Sequence, residues 1–186
     1  MGHRTSCVGH RETGYSMIVV ADAGPLLHLF WADAHLWALP PQEIEVVQAV
    51  WEEVTAYAPE ALADKRLKQI KLAIPLSPLL EGKRLHTGEV VALSYALTRT
   101  SHAPTRTEEL LLLSDDQRAR QVCRTFALPF IGSIGLIIEA SREGRVSKEV
   151  AEAALRDLPG RGRLYVKPSV IAQAVAALTA GAGDTP

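Results

Sequence analysis

The run Leu110-Leu111-Leu112-Leu113 stands between Glu108-Glu109 and Ser114-Asp115-Asp116. Four consecutive leucines leave neither side of a strand polar, so the run reads as a fully buried central strand packed on both faces. Such a strand belongs to a parallel sheet, whose neighbouring strands require crossover connections, usually helices. The rest of the chain supplies them. Ile18-Val19-Val20-Ala21 is an apolar β-rich run ending at Asp22, and Gly24-Pro25 opens a helix carrying Leu26, Leu27, Leu29 and Phe30. After Pro40-Pro41, Glu43 to Val47 reads as a strand and Ala49, Val50 and Val54 fall at helical spacing. Pro59 to Leu67 reads as helical and Gln69 to Leu76 as extended.

Thr87-Gly88-Glu89 opens a helix with Val90, Leu93 and Leu97 on one stripe, and the polar stretch Thr98 to Thr107 reads as a loop. Beyond Asp116 a helix turns Ala119, Val122, Cys123 and Phe126 inward, and Pro129 to Ile131 makes a brief strand. Gly132 to Gly135 turns into a helix through Ala140, and Lys148 to Leu158 and Ser169 to Leu178 close the chain as helices. The expected fold is α/β, a mostly parallel sheet flanked by helices, with no internal repeat.

Its 186 residues, 47% apolar, suit one compact domain. Residues 1–16 are polar and aperiodic and read as a flexible extension, with Met17 an alternative start. The domain then spans 17–180, helical from about 145, followed by a loose tail over 181–186. Asp22 and Asp33 interrupt the apolar stretch after Met17, which therefore predicts neither a secretory signal nor a membrane span. The net charge of −1 provides no global field for nucleic acid, so any such binding requires a local patch. Two cysteines, Cys7 and Cys123, are too few for a disulfide framework and fit a reducing cytoplasm.

Acidic residues recur where strands end and helices begin: Asp22, Glu53, Glu89 and Asp115-Asp116. Ligands of open α/β sheets bind outside the carboxyl ends of the strands. Carboxylates gathered at such an edge repel one another unless a cation neutralises them, which points to a divalent-metal site. Each acid also has a simpler reading: Asp22 and the Asp115-Asp116 pair as helix caps, Glu89 as a charge complementing a helix dipole, Glu53 beside Glu52 as a solvated helix face.

Four motifs carry these acids: Val20-Ala21-Asp22-Ala23-Gly24-Pro25-Leu26-Leu27-His28-Leu29, Ala49-Val50-Trp51-Glu52-Glu53-Val54, Gly88-Glu89-Val90-Val91-Ala92-Leu93 and Leu112-Leu113-Ser114-Asp115-Asp116-Gln117-Arg118-Ala119-Arg120. With the glycine-bearing turn Ile131-Gly132-Ser133-Ile134-Gly135-Leu136, they resemble, in order and spacing, the PIN-domain nucleases and among them the VapC-like toxins of toxin–antitoxin pairs. The resemblance implies a PIN-like three-layer sandwich and a ribonuclease dependent on Mg2+ or Mn2+. It further implies a cytoplasmic homodimer silenced by a cognate antitoxin, with RNA as substrate and no membrane partner. Carried over by position, Asp22, Glu53, Glu89 and Asp116 form the catalytic set. Asp22, Glu89, Asp115 and Asp116 are the metal-ligand candidates, Asp115 competing with Asp116. Arg120 and Ser133 are substrate-binding candidates. Gly24 departs from the serine that many relatives place there.

Arg120, four residues after Asp116, reads as a grip on a scissile phosphate, as a holder of the carboxylates when metal is absent, or simply as a surface arginine. Lys65-Arg66-Lys68 and Arg161-Arg163 are alternatively RNA-contacting patches or solvated faces. His28 reads as a packed or partly exposed histidine rather than a ligand, Trp31 and Trp37 as core or interface, and Cys123 as core. One rival reading is a PIN-like scaffold that has lost catalysis and binds protein or RNA. A phosphoacceptor domain ranks lower, because Asp22-Ala23-Gly24 lacks the second acid it requires.

Overall fold

The computed structural model describes residues 16–101 and 108–180. Cys7, the expectation for residues 1–15, the loop expectation over 102–107 and the tail over 181–186 lie outside the described residues. Strands β1 (Ser16–Ala21), β2 (Ile44–Val47), β3 (Leu67–Ile70), β4 (Glu108–Leu113) and β5 (Phe130–Ile131) form one all-parallel sheet in the order β3-β2-β1-β4-β5. It is flanked by α1 (Ala23–Trp31), α2 (His35–Ala38), α3 (Gln48–Tyr57), α4 (Thr87–Ser101), α5 (Gln117–Thr125), α6 (Ser133–Arg142), α7 (Lys148–Asp157) and α8 (Pro168–Ala180), an α/β sandwich.

Both faces of the central strands are covered. Val19, Val20 and Ala21 of β1 and Leu110, Leu112 and Leu113 of β4 are buried, and Leu111 packs partly exposed against the same core. Replacing Leu112 with alanine would remove a fully buried side chain, at a cost of about 2–5 kcal/mol. The β1–β4 ladder pairs Ser16 with Glu108 through Ala21 with Leu113, so the two strands end together. Beyond them the Asp22 amide donates to the Leu113 carbonyl and the Ser114 amide to the Ile131 carbonyl, both at 2.9 Å. β2 and β3 lie on one side of β1, β4 and β5 on the other. The order of strands therefore reverses between β1 and β4, and a crevice opens at their carboxyl ends.

Four local expectations need correction. The ladder with β4 starts at Ser16, so the strand begins within the expected extension. Pro59 to Leu67 is not one helix: a 3-10 turn covers Pro59–Ala63, and β3 starts at Leu67 and ends at Ile70. Pairing with β2 fixes that register, Ile44 with Leu67 through Val47 with Ile70. The expected loop from Thr98 is helical as far as Ser101, and within that last turn the hydroxyls of Thr98 and Thr100 donate back to the Ser94 and Ala96 carbonyls of α4. The short α2 was not anticipated; four residues are too few to display a helical period. Among the described residues no helix is long and apolar enough to cross a membrane.

Candidate metal and nucleic-acid site

The crevice is a cleft of about 640 Å³ lined by Asp22, Glu53, Glu89, Asp115 and Asp116, with His28, His86, Arg118, Arg163 and Tyr165 also on its walls. All five predicted acids thus reach one cavity. The simple readings hold for several of them at the same time. Asp22 caps α1, accepting from the Ala23 amide at 2.9 Å, and Asp116 caps α5, accepting from the Ala119 amide at 2.8 Å. Glu89, in the first turn of α4, reaches back to the His86 amide at 2.9 Å, the carboxylate half of a capping box. Three helix N-termini, each with partial positive charge, therefore place three carboxylates on one cavity. Capping and converging are the same arrangement.

Asp22 is buried, 7% exposed. Burial pushes its carboxyl up to about 7; the Ala23 amide and Ser114 hydroxyl oppose the rise, and the charges of Glu89 and Glu53 add to it. The Ser114 hydroxyl donates to its second oxygen at 3.2 Å. Glu89 is also raised, by burial first and then by Asp116 and Glu53 against the opposing His86 amide. On α3 the two glutamates divide: Glu52 accepts from the Gln48 side chain on the outer surface, while Glu53 lines the cleft.

Asp115 is treated differently. Its side chain, 5% exposed, meets His28 Nδ1 at 2.9 Å, Arg120 Nη2 at 3.2 Å, the Ser133 amide at 2.9 Å and the Ser133 hydroxyl at 2.5 Å. Burial alone would raise its carboxyl, but the hydrogen bonds from His28 and Ser133 outweigh it and hold the group below the usual range. Arg120 also donates to the Ser114 carbonyl at 3.1 Å. Gly132 makes this packing possible: a Cβ there would stand 2.1 Å from Arg120 Nη2 and 2.5 Å from Asp115 Oδ1. Arg120 and Ser133 thus converge on Asp115, away from the lining of the cleft.

Among the described residues, Asp22, Ser114 and Ser133 are three of the four buried polar or charged residues, Ser94 being the other, so buried polarity concentrates at this edge. The donors facing the cavity are hard carboxylate oxygens of the kind that Mg2+ and Mn2+ prefer. Among the described residues, however, no three His, Cys, Asp or Glu side chains stand together as a ready metal cage. Mg2+ retains several waters and needs only one or two direct carboxylates, so an open acidic pocket fits it without a cage.

Other predicted residues go elsewhere. Arg66 is committed internally, to Asp64 and to the carbonyls of His35, Leu36, Leu39 and Pro40, and Lys68 pairs with Glu43. Cys123 is buried in the core, as are parts of Trp31 and Trp37. His28 is partly exposed, as expected, and meets both Asp115 and the cleft. Arg118, His86 and Tyr165 were not singled out from the sequence. Arg118 sits inside the Asp115-Asp116 motif, which could have flagged it, but nothing local marks Tyr165.

No curated protein matches the chain. A family model described as PIN domain, DUF3368, matches residues 18–180, from the first strand to the last helix. That match, with the parallel sheet and the acidic cleft at its switch point, places the chain in the PIN-domain family, a nuclease fold.

Proposed function

We propose that the protein is a divalent-metal-dependent endoribonuclease that hydrolyses RNA phosphodiesters, and the toxin of a VapBC-like pair. One observation carries the catalytic reading. Asp22 is a buried acid with no cationic partner among the described residues, and the neighbours that perturb it, Glu89 and Glu53, add negative charge. A dication is the economical remedy for such a corner.

Asp22, Glu89 and Asp116 would hold Mg2+ or Mn2+, with Glu53 at the rim. When bound, the ion supplies activation of water and neutralisation of charge on the phosphate under attack. The chain's own residues do the rest. Three helix N-termini fix the carboxylates in place before substrate arrives. Asp115 is a positioning residue in this reading: with Arg120 and Ser133 it locks the β4–α5 turn that presents Asp116. Arg118, on the cleft wall and donating to the Arg84 carbonyl, would face the substrate backbone. Resemblance of the four motifs to VapC-like toxins supports the remainder: a cytoplasmic homodimer, inhibited by an antitoxin.

The purified chain should cleave single-stranded RNA with Mg2+, and EDTA or Asp22→Asn should abolish cleavage. Cleavage that persists in a folded Asp22→Asn protein would refute the assignment. A second reading, an inactive scaffold that binds protein or RNA, draws on the lack of a ready three-residue cage among the described residues. Binding of RNA without Mg2+-dependent cleavage would favour it. Expression should impair growth, and Asp116→Ala should relieve the impairment; equal growth with both versions would remove the toxin role while leaving the nuclease chemistry open to the cleavage assay.

A further inference from the structure

Tyr165 is the most exposed large hydrophobic side chain among the described residues, at 105% of its reference exposure, yet it lines the acidic cleft. The backbone that leads to it is pinned by the segment before it. Leu164 is buried, and its amide donates to the Leu158 carbonyl at 2.8 Å. Gly162 lies so close to the end of α7 that a Cβ would stand 2.7 Å from the Leu158 carbonyl oxygen, which excludes any side chain there. Arg161 ties the segment to Asp33 and Asp157. Arg163 adopts a left-handed backbone, φ 56°, and lays its guanidinium 4.4 Å from the centre of the Trp31 ring. A strained non-glycine residue in an over-determined loop marks a conformation the surroundings impose. The result is an aromatic ring held out in solvent beside the carboxylates.

Exposing a whole tyrosine forgoes the burial that usually accompanies a large ring. The flanking charges identify the missing partner. Arg163 and Lys167, on either side of Tyr165, are exposed and have no carboxylate partner among the described residues, and Arg118 joins them across the cleft. An aromatic ring interleaved with cations suits a strand of bases on a phosphate backbone, and supplies the local patch that a net charge of −1 requires. A protein-docking tyrosine would instead sit within an apolar patch.

We propose that Tyr165 is the stacking platform for one base of single-stranded RNA, seated next to the phosphate in the acidic cleft, with Arg163 on the adjoining backbone. The proposal rests on the nuclease reading of the same site. Stacking on an aromatic ring is sequence-tolerant, so the platform sets the position of the strand rather than its sequence.

Steady-state cleavage of a single-stranded RNA of about eight nucleotides by the full chain in Mg2+ tests it. Tyr165→Ala should raise KM about 10-fold while kcat moves less, and Tyr165→Phe, which keeps the ring, should restore KM to within about 2-fold. An abasic site scanned along the RNA should, at one position, raise the wild-type KM to the Tyr165→Ala value and add nothing further in that variant. The side chain is exposed, so equal Tm values will confirm that folding is untouched. A wild-type KM in Tyr165→Ala, as expected for a ring reserved for a partner protein, or a failure of Tyr165→Phe to rescue, would overturn the platform and leave the nuclease standing. Absence of Mg2+-dependent cleavage by the wild type would overturn both.

Discussion

Asp115 and Asp116 are neighbours in the chain and line the same cleft, yet the fold equips them for opposite ends. Around Asp115 the protein supplies the counter-charge and donors itself, through His28, Arg120 and Ser133. Around Asp22, Glu89 and Asp116 it supplies only capping amides and one hydroxyl, and leaves the acids to one another. One corner is closed electrostatically and the other is open. A carboxylate whose lone pairs are already filled has little left for an ion, whereas an uncompensated buried acid gains most from one.

The sharpest break between the corners is expected in activity. Asp22→Asn and Asp116→Asn should each lower RNA cleavage by at least about 100-fold with the fold intact, as circular dichroism would verify. If Asp116→Asn cleaves normally while a folded Asp115→Asn does not, the two roles are exchanged. Stability should reverse the ranking. Asp115→Ala strands His28, Arg120 and Ser133 around a buried vacancy and should cost about 2–4 kcal/mol in urea unfolding, against about 1 kcal/mol for Asp116→Ala, which loses a cap.

Opposite pH signatures should follow in metal-free protein. Asp22 titrates near 7 in the fold and near 3.8 unfolded, so between those values the folded state holds the extra proton. Stability should therefore fall as pH rises through this window, by roughly a few kcal/mol in all, and Asp22→Asn should flatten the fall. Asp115 lies below 3.8 in the fold, so its stabilisation is complete above that value and is lost as pH drops through its folded pKa. Thermal melts in EDTA across both ranges would separate the two limbs; a single limb would merge the corners. Gly132→Ala should force Arg120 and Asp115 apart and destabilise by about 1–3 kcal/mol, with cleavage reduced less than by Asp22→Asn.

Much of this comparison was visible in the chain, and the limits are physical. The four-leucine run and the apolar stripes of the helices are local patterns, and they located the central strands and most helices. Acids at strand ends and helix starts identified the residues that line the cleft, because strand ends of a parallel sheet share an edge. Which way Asp115 turns was not legible, since it depends on His28 and Ser133, which arrive from distant segments. β3 was displaced because pairing with β2, rather than its own alternation, fixes an edge strand. Tyr165 was missed because exposure has no sequence signature.

Thermal unfolding at pH 7.5 with increasing Mg2+ tests the central claim most directly. The wild type should gain Tm with each increment, by the linkage between binding and stability, about 2.7 kcal/mol once the ion reaches 100 times its Kd. Asp22→Asn should start higher at zero Mg2+ and gain little. A wild-type Tm indifferent to Mg2+, or an equal gain in Asp22→Asn, would contradict the account of an acidic corner left open for a cation.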